Sequence, residues 1–149
     1  MIMKRLIILT LLAVLSSVAV YARSNLYIDS FFENEIISQS GVSMISYHDW
    51  KIGGHKLKEY RSVTISGNKQ LSERLRIAVT KDGANSVSKE TSYKEGELYF
   101  GFYYLGGAEK RQRYILYLNR RPAGEEKSTL IYLEGDVDTR FVRDMLKLK

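Results

Sequence analysis

Three runs rich in tyrosine, phenylalanine and branched aliphatic residues follow one another in the C-terminal third of the chain, at positions 98–105, 113–118 and 129–133. Such side chains suit a pleated, half-buried surface. The stretches between them carry glycine, charge and the single proline, so the spacing predicts a three-stranded antiparallel meander. Alternation puts Leu98, Phe100, Phe102 and Tyr104 on one face of the first strand and Tyr99, Gly101, Tyr103 and Leu105 on the other. On the second strand Tyr117 shares a face with Ile115, and Tyr114 shares one with Leu116 and Leu118. Both faces are therefore apolar. One must pack under helices; the other, left open, would offer Tyr99, Tyr103 and Tyr117 as binding residues for a protein, peptide or glycan. Cover on both faces, by helices on one side and by loops or a second copy on the other, is the competing arrangement.

Upstream, residues 42–48 and 57–66 read as two strands of a hairpin turning at Gly53-Gly54, where positive φ is needed. On the second of these strands Leu57, Glu59, Arg61, Val63 and Ile65 are expected to share a face. Asn68 is placed to cap a helix whose Leu71, Leu75, Ala78 and Val79 form one buried stripe as far as Asp82, with continuation past Gly83 open. Asn25 is a candidate cap for a short first helix, and Asp138 for a closing helix that buries Phe141, Val142, Met145 and Leu146. These elements predict an α+β fold with a mainly antiparallel sheet of about five strands, flanked by helices.

The N-terminus reads as an address. Lys4 and Arg5 precede an apolar run from Leu6 to Leu15, and Val20-Tyr21-Ala22 supplies the small residues of a cleavage site. Residues 1–22 are thus expected to be a signal peptide and 23–149 a single mature domain, periplasmic or secreted. The uncharged stretch ending at Tyr21 is short for a membrane span, so no transmembrane helix is expected after processing. Loss of the leader removes two of the 23 basic residues and none of the 17 acidic ones, lowering the formal net charge from +6 to +4. With no cysteine, the chain has no disulfide, no thiolate metal site and no thiol for a lipid anchor.

Motifs for chemistry are sparse. His48 and His55, with Asp49, fall short of the ligand set that a metal site requires. No G-x-S-x-G elbow, P-loop or dinucleotide fingerprint occurs, and the Glu33/Glu35 and Glu125-Glu126 pairs lie in polar segments. Basic residues around Lys110–Arg113 and around Arg120, Arg121 and Lys127 fall at opposite ends of the middle meander strand, so no nucleic-acid face is expected. No cofactor is implied.

The segments Glu95-Gly-Glu-Leu-Tyr-Phe-Gly-Phe-Tyr-Tyr-Leu105, Arg113-Tyr-Ile-Leu-Tyr-Leu-Asn119 and Thr129-Leu-Ile-Tyr-Leu-Glu-Gly135 resemble the C-terminal half of a family of small exported proteins from Bacteroides-type bacteria, catalogued as a domain of unknown function. The resemblance implies the fold and the compartment and transfers no catalytic residue. The sequence leads to an exported, non-catalytic binding domain of the cell envelope. A small envelope hydrolase with an unfamiliar active site is the alternative, and would need a histidine, a buried carboxylate and a serine hydroxyl in one pocket.

Overall fold

The computed structural model describes residues 25–121 and 124–149; the leader expected at 1–22 lies outside them. No described helix is long and apolar enough to cross a membrane. The architecture is α+β, built on one antiparallel sheet. Six strands take part, not five: β1 (Val42–Ile52), β2 (His55–Ser66), β3 (Ser88–Lys94), β4 (Glu97–Ala108), β5 (Arg111–Arg120) and β6 (Lys127–Gly135), in the order β1-β2-β6-β5-β4-β3. The N-terminal hairpin and the C-terminal meander are both present, joined by pairing of β2 with β6. β3 is the addition. Its sequence, Ser-Lys-Glu-Thr-Ser-Tyr-Lys, shows no apolar alternation because it forms a solvent-bathed edge.

A 3-10 turn (Tyr27–Phe32) and a short helix α1 (Asn34–Ile37) precede the sheet, α2 (Lys69–Gly83) links the hairpin to β3, and α3 (Thr139–Met145) closes the chain. Asn68 and Asp138 cap α2 and α3 as expected, accepting hydrogen bonds from Leu71 N (3.1 Å) and Phe141 N (2.8 Å). Asn25 does not cap the first turn. That position belongs to Leu26, whose N–H donates to the Asp29 carboxylate (3.1 Å).

Two hydrophobic layers sandwich the sheet. On the inner face α2 and the N-terminal turns bury Leu71, Leu75 and Val79 against Val63, Ile65, Ile115, Tyr117, Leu130 and Tyr132. On the outer face α3 sets Val142 against Leu57, Phe102, Tyr114, Leu116 and Leu133. Helix α2 stops at Gly83 and does not continue. A Cβ on Gly83 would lie 2.3 Å from the Tyr103 ring, and one on Gly101 would lie 2.6 Å from it, so both glycines clear space for that side chain.

The register slips in three places; one, between Tyr104 and Gly106 in the β4–β5 pairing, falls at the glycine end of β4, and the other two move apolar residues between the layers. Between Leu57 and Glu59 the β2–β6 register shifts, which turns Leu57 to the outer layer while Val63 and Ile65 stay in the inner one. Asp49, opposite this point on β1, has φ of 51°, and beyond it Trp50 joins Tyr47 and Tyr60 on the outer face. A second shift, between Ser92 and Tyr93 in the β3–β4 pairing, puts Leu98 in the inner layer and leaves Phe100, Phe102 and Tyr104 in the outer one. The expected grouping of Leu98 with those three residues, and of Leu57 with Val63, fails because a bulge inverts the facing of every residue beyond it.

Candidate binding site

The three tyrosines singled out in the sequence do not assemble as an open platform. Tyr103 (3% exposed) and Tyr117 (0%) are diagonal neighbours in the inner layer, because the face of β4 and β5 that carries them is the one α2 covers. Burial pushes the Tyr103 hydroxyl up to about 12 and raises that of Tyr117 as well. Tyr99, beside the β4 bulge, keeps 37% of its surface. A partner approaching the folded domain meets only this one of the three.

Tyr99 borders a cleft of about 790 Å³ where β4 and β5 leave the core. Lys94 places its ammonium 4.9 Å from the Tyr99 ring centroid, and Arg120 and Arg121 line the same cleft. Glu97 is held by Arg76 (3.0 Å) and Arg121 (3.3 Å), which fixes the rim. Asn119, 8% exposed, lines the same cleft. Its Nδ2 donates to Glu126 Oε1 (3.2 Å) and to the Tyr117 hydroxyl (3.5 Å), but its Oδ1 has no partner among the described residues. Leaving such an acceptor buried and unmet costs about 1–3 kcal/mol. Glu95 and Glu97 line the cleft as well, so its three cations face two carboxylates beside an aromatic ring, a lining that suits a hydroxyl-bearing ligand of mild negative charge. The sequence signalled Tyr99, Arg120 and Arg121 but not Lys94, and Asn119 was missed because nothing in its local pattern marks a buried amide.

A smaller cleft, about 300 Å³, lies on the inner face beyond the reach of α2. Here Glu59 and Glu134 stand opposite one another on β2 and β6. Arg61 reaches Glu59 (3.5 Å) and Asp29 (3.2 Å), with its guanidinium 4.4 Å from the Phe32 ring and 4.7 Å from that of Tyr132. Arg111 lies 3.8 Å from Glu134, which also accepts from the Tyr132 hydroxyl (3.1 Å). His48 sits at the rim with Nε2 3.5 Å from Ser46 Oγ, both exposed on an edge strand. That contact is at the limit of a hydrogen bond, and no carboxylate hydrogen-bonds the His48 ring among the described residues. The orienting arm of a catalytic triad is therefore missing from this cleft. His55 packs on Phe141 at 4.0 Å. Among the described residues no group of three histidine or carboxylate side chains converges as a metal site.

The outer face is only partly roofed by α3. At its β1 end Tyr47, Trp50 and Tyr60 form a ring cluster with centroids 4.8–6.0 Å apart, and Ile45 beside them is 53% exposed. Alternation alone could not reveal this cluster, since Trp50 joins it only through the slip at Asp49.

A family model described as a family of unknown function (DUF6108) matches residues 15–146. No curated protein matches the chain. No solved structure matches it either.

Proposed function

We propose that this chain, which belongs to the DUF6108 family of unknown function, is an exported, non-catalytic binding domain of a Bacteroides-type cell envelope, taking an acidic glycan in the cleft beside Tyr99. One observation carries the reading: the cleft lined by Asn119 presents the part-exposed Tyr99 ring together with three cationic side chains. A pyranose face would stack on Tyr99, and carboxylates would meet Arg120 and Arg121, with Asn119 forming part of the wall. Binding is preferred to the hydrolase alternative because Ser46 and His48 lack an orienting acid, and because Glu59 and Glu134 are engaged by Arg61, Arg111 and Tyr132.

Two measurements test the proposal. The mass of the protein recovered from the envelope and medium is expected to correspond to a chain starting at Arg23; an unprocessed cytosolic chain would remove the exported part. Calorimetric titration of the processed chain with uronic-acid oligosaccharides is expected to show binding that weakens at least about tenfold in Tyr99→Ala and in Asn119→Ala. No heat with any of these oligosaccharides, or wild-type affinity in the two variants, would overturn the glycan site.

A further inference from the structure

The two edges of the sheet are built differently. β3 is seven residues long and carries Lys89, Glu90 and Lys94, the charged pattern that discourages strand addition. β1, at the other edge, is eleven residues long. From Val42 to Tyr47 it has no formal charge, proline or glycine, and it leaves Ile45 and Tyr47 53% and 47% exposed. Only the slip at Asp49 interrupts it.

The phase of its free hydrogen-bonding groups follows from one bond. Ser66 N–H donates to the Gly41 carbonyl (2.8 Å), and the β1–β2 register runs on from Val42↔Ile65. In an antiparallel ladder bonded and non-bonded pairs alternate, so Ser43, Ile45 and Tyr47 exchange bonds with β2. Val42, Met44, Ser46 and His48 turn their N–H and C=O groups outward.

We propose that β1 pairs with β1 of a second copy, antiparallel about a two-fold axis at Ser46, to make one sheet continuous across two domains. In this register Ser46 faces Ser46, and Met44 faces His48 twice. All are outward-facing positions, giving about six backbone hydrogen bonds. On the outer face Ile45 of each copy lies opposite Tyr47 of the other, in the non-bonded pairs where side chains approach most closely, and branched aliphatic with aromatic is a favourable cross-strand pair. No like charges oppose one another. Moving the axis to His48 would set Tyr47 against the Asp49 slip; moving it to Met44 would shorten the overlap. The strip is thus self-complementary in backbone phase, side-chain shape and charge, which is what a two-fold interface demands. This edge lies across the sheet from the Tyr99 cleft, so the pairing neither uses nor blocks that site.

The chain contains no cysteine, so Ser46→Cys introduces a single thiol. Bonded antiparallel pairs hold Cα atoms about 5.5 Å apart, within disulfide range. Under mild oxidant Ser46→Cys is expected to form a covalent dimer at least about tenfold faster than Ser92→Cys on the β3 edge. Sedimentation velocity of the wild-type processed chain is expected to show a concentration-dependent dimer, and Ile45→Lys to raise its dissociation constant at least about tenfold with an unchanged circular dichroism spectrum. A wild-type chain that stays monomeric throughout the dilution series, equal cross-linking at positions 46 and 92, or a dimer indifferent to Ile45→Lys would overturn the proposal.

Discussion

Glu59 and Glu134 face each other across the β2–β6 ladder on the inner side of the sheet, a like-charge pair where alternation alone would favour opposite or apolar partners. Arg61 makes the arrangement tolerable. Its guanidinium lies between the rings of Phe32 and Tyr132 while reaching both Glu59 and Asp29. Arg61→Lys would keep the charge but lose the planar fork and the stacking, and is expected to destabilise the domain by about 1–2 kcal/mol in urea unfolding. Glu59→Gln, which relieves the repulsion, is expected to cost less than Arg61→Lys or to stabilise slightly. A greater loss for Glu59→Gln would show that Arg61 is not the organising group.

Gly83 tests the packing of Tyr103. At an ordinary helical site glycine-to-alanine gains about 1 kcal/mol. Here the added methyl meets the Tyr103 ring, so Gly83→Ala is expected to lose about 1–3 kcal/mol instead. In the Tyr103→Leu background the penalty should shrink, and a thermal-denaturation double-mutant cycle measures that coupling.

Asp82 fastens the N-terminal turn to α2 by accepting hydrogen bonds from Tyr27 N and Ile28 N, each 2.9 Å. Burial raises its pKa above 3.8 in spite of those two donors. Between the ordinary value and the raised one, the folded state retains a proton that the unfolded chain has released. Asp82 therefore contributes falling stability as pH climbs through that window. Asp82→Asn should remove this slope, while losing about 1–3 kcal/mol near neutral pH because one amide half cannot accept. Urea unfolding at a series of pH values checks both outcomes.

The buried tyrosines give the same sign at the alkaline end. Tyr103 is pushed up to about 12 by burial, so above about pH 10 the unfolded chain loses a proton that the folded chain keeps. Stability should fall steadily from there. Ultraviolet titration of native protein should show phenolate formation delayed relative to the urea-unfolded chain, and Tyr103→Phe should reduce the lag.

Arg143 ties α3 to the β3 edge through Glu90 (2.5 Å) and lies 5.7 Å from the Phe102 ring centroid. Both partners are partly exposed, so Arg143→Ala is expected to cost only about 1 kcal/mol overall. Its local effect should be larger, and hydrogen exchange in β3 should quicken more than in β1.

Much of this architecture was legible because the apolar periodicities were long. The stripe from Leu71 to Val79 identified α2, the Asn68 and Asp138 caps located two helix starts, and the aromatic runs gave the meander. What escaped depended on contacts distant in sequence. β3 is polar because it is an edge, and the bulges at Lys58 and near Tyr99 reverse the facing of residues that simple alternation groups together. The candidate site divided in the same way: Tyr99 stood out by its residue type, whereas Tyr103 and Tyr117 drew attention for the same reason and belong to the core. Asn119 becomes notable only when its solvation is known.

The paired irregularity at Asp49 and Lys58 has a mechanical implication. β1 and β2 slip together at these opposed residues and keep their mutual register, so the hairpin tip from Trp50 to Leu57 is rotated as one piece relative to the body of the sheet. Deleting either residue alone would set the two strands out of step. Deleting both would return the tip to its original phase and present Trp50 and Leu57 to the opposite side, so evolution can reorient this handle only by changing the two sites in concert.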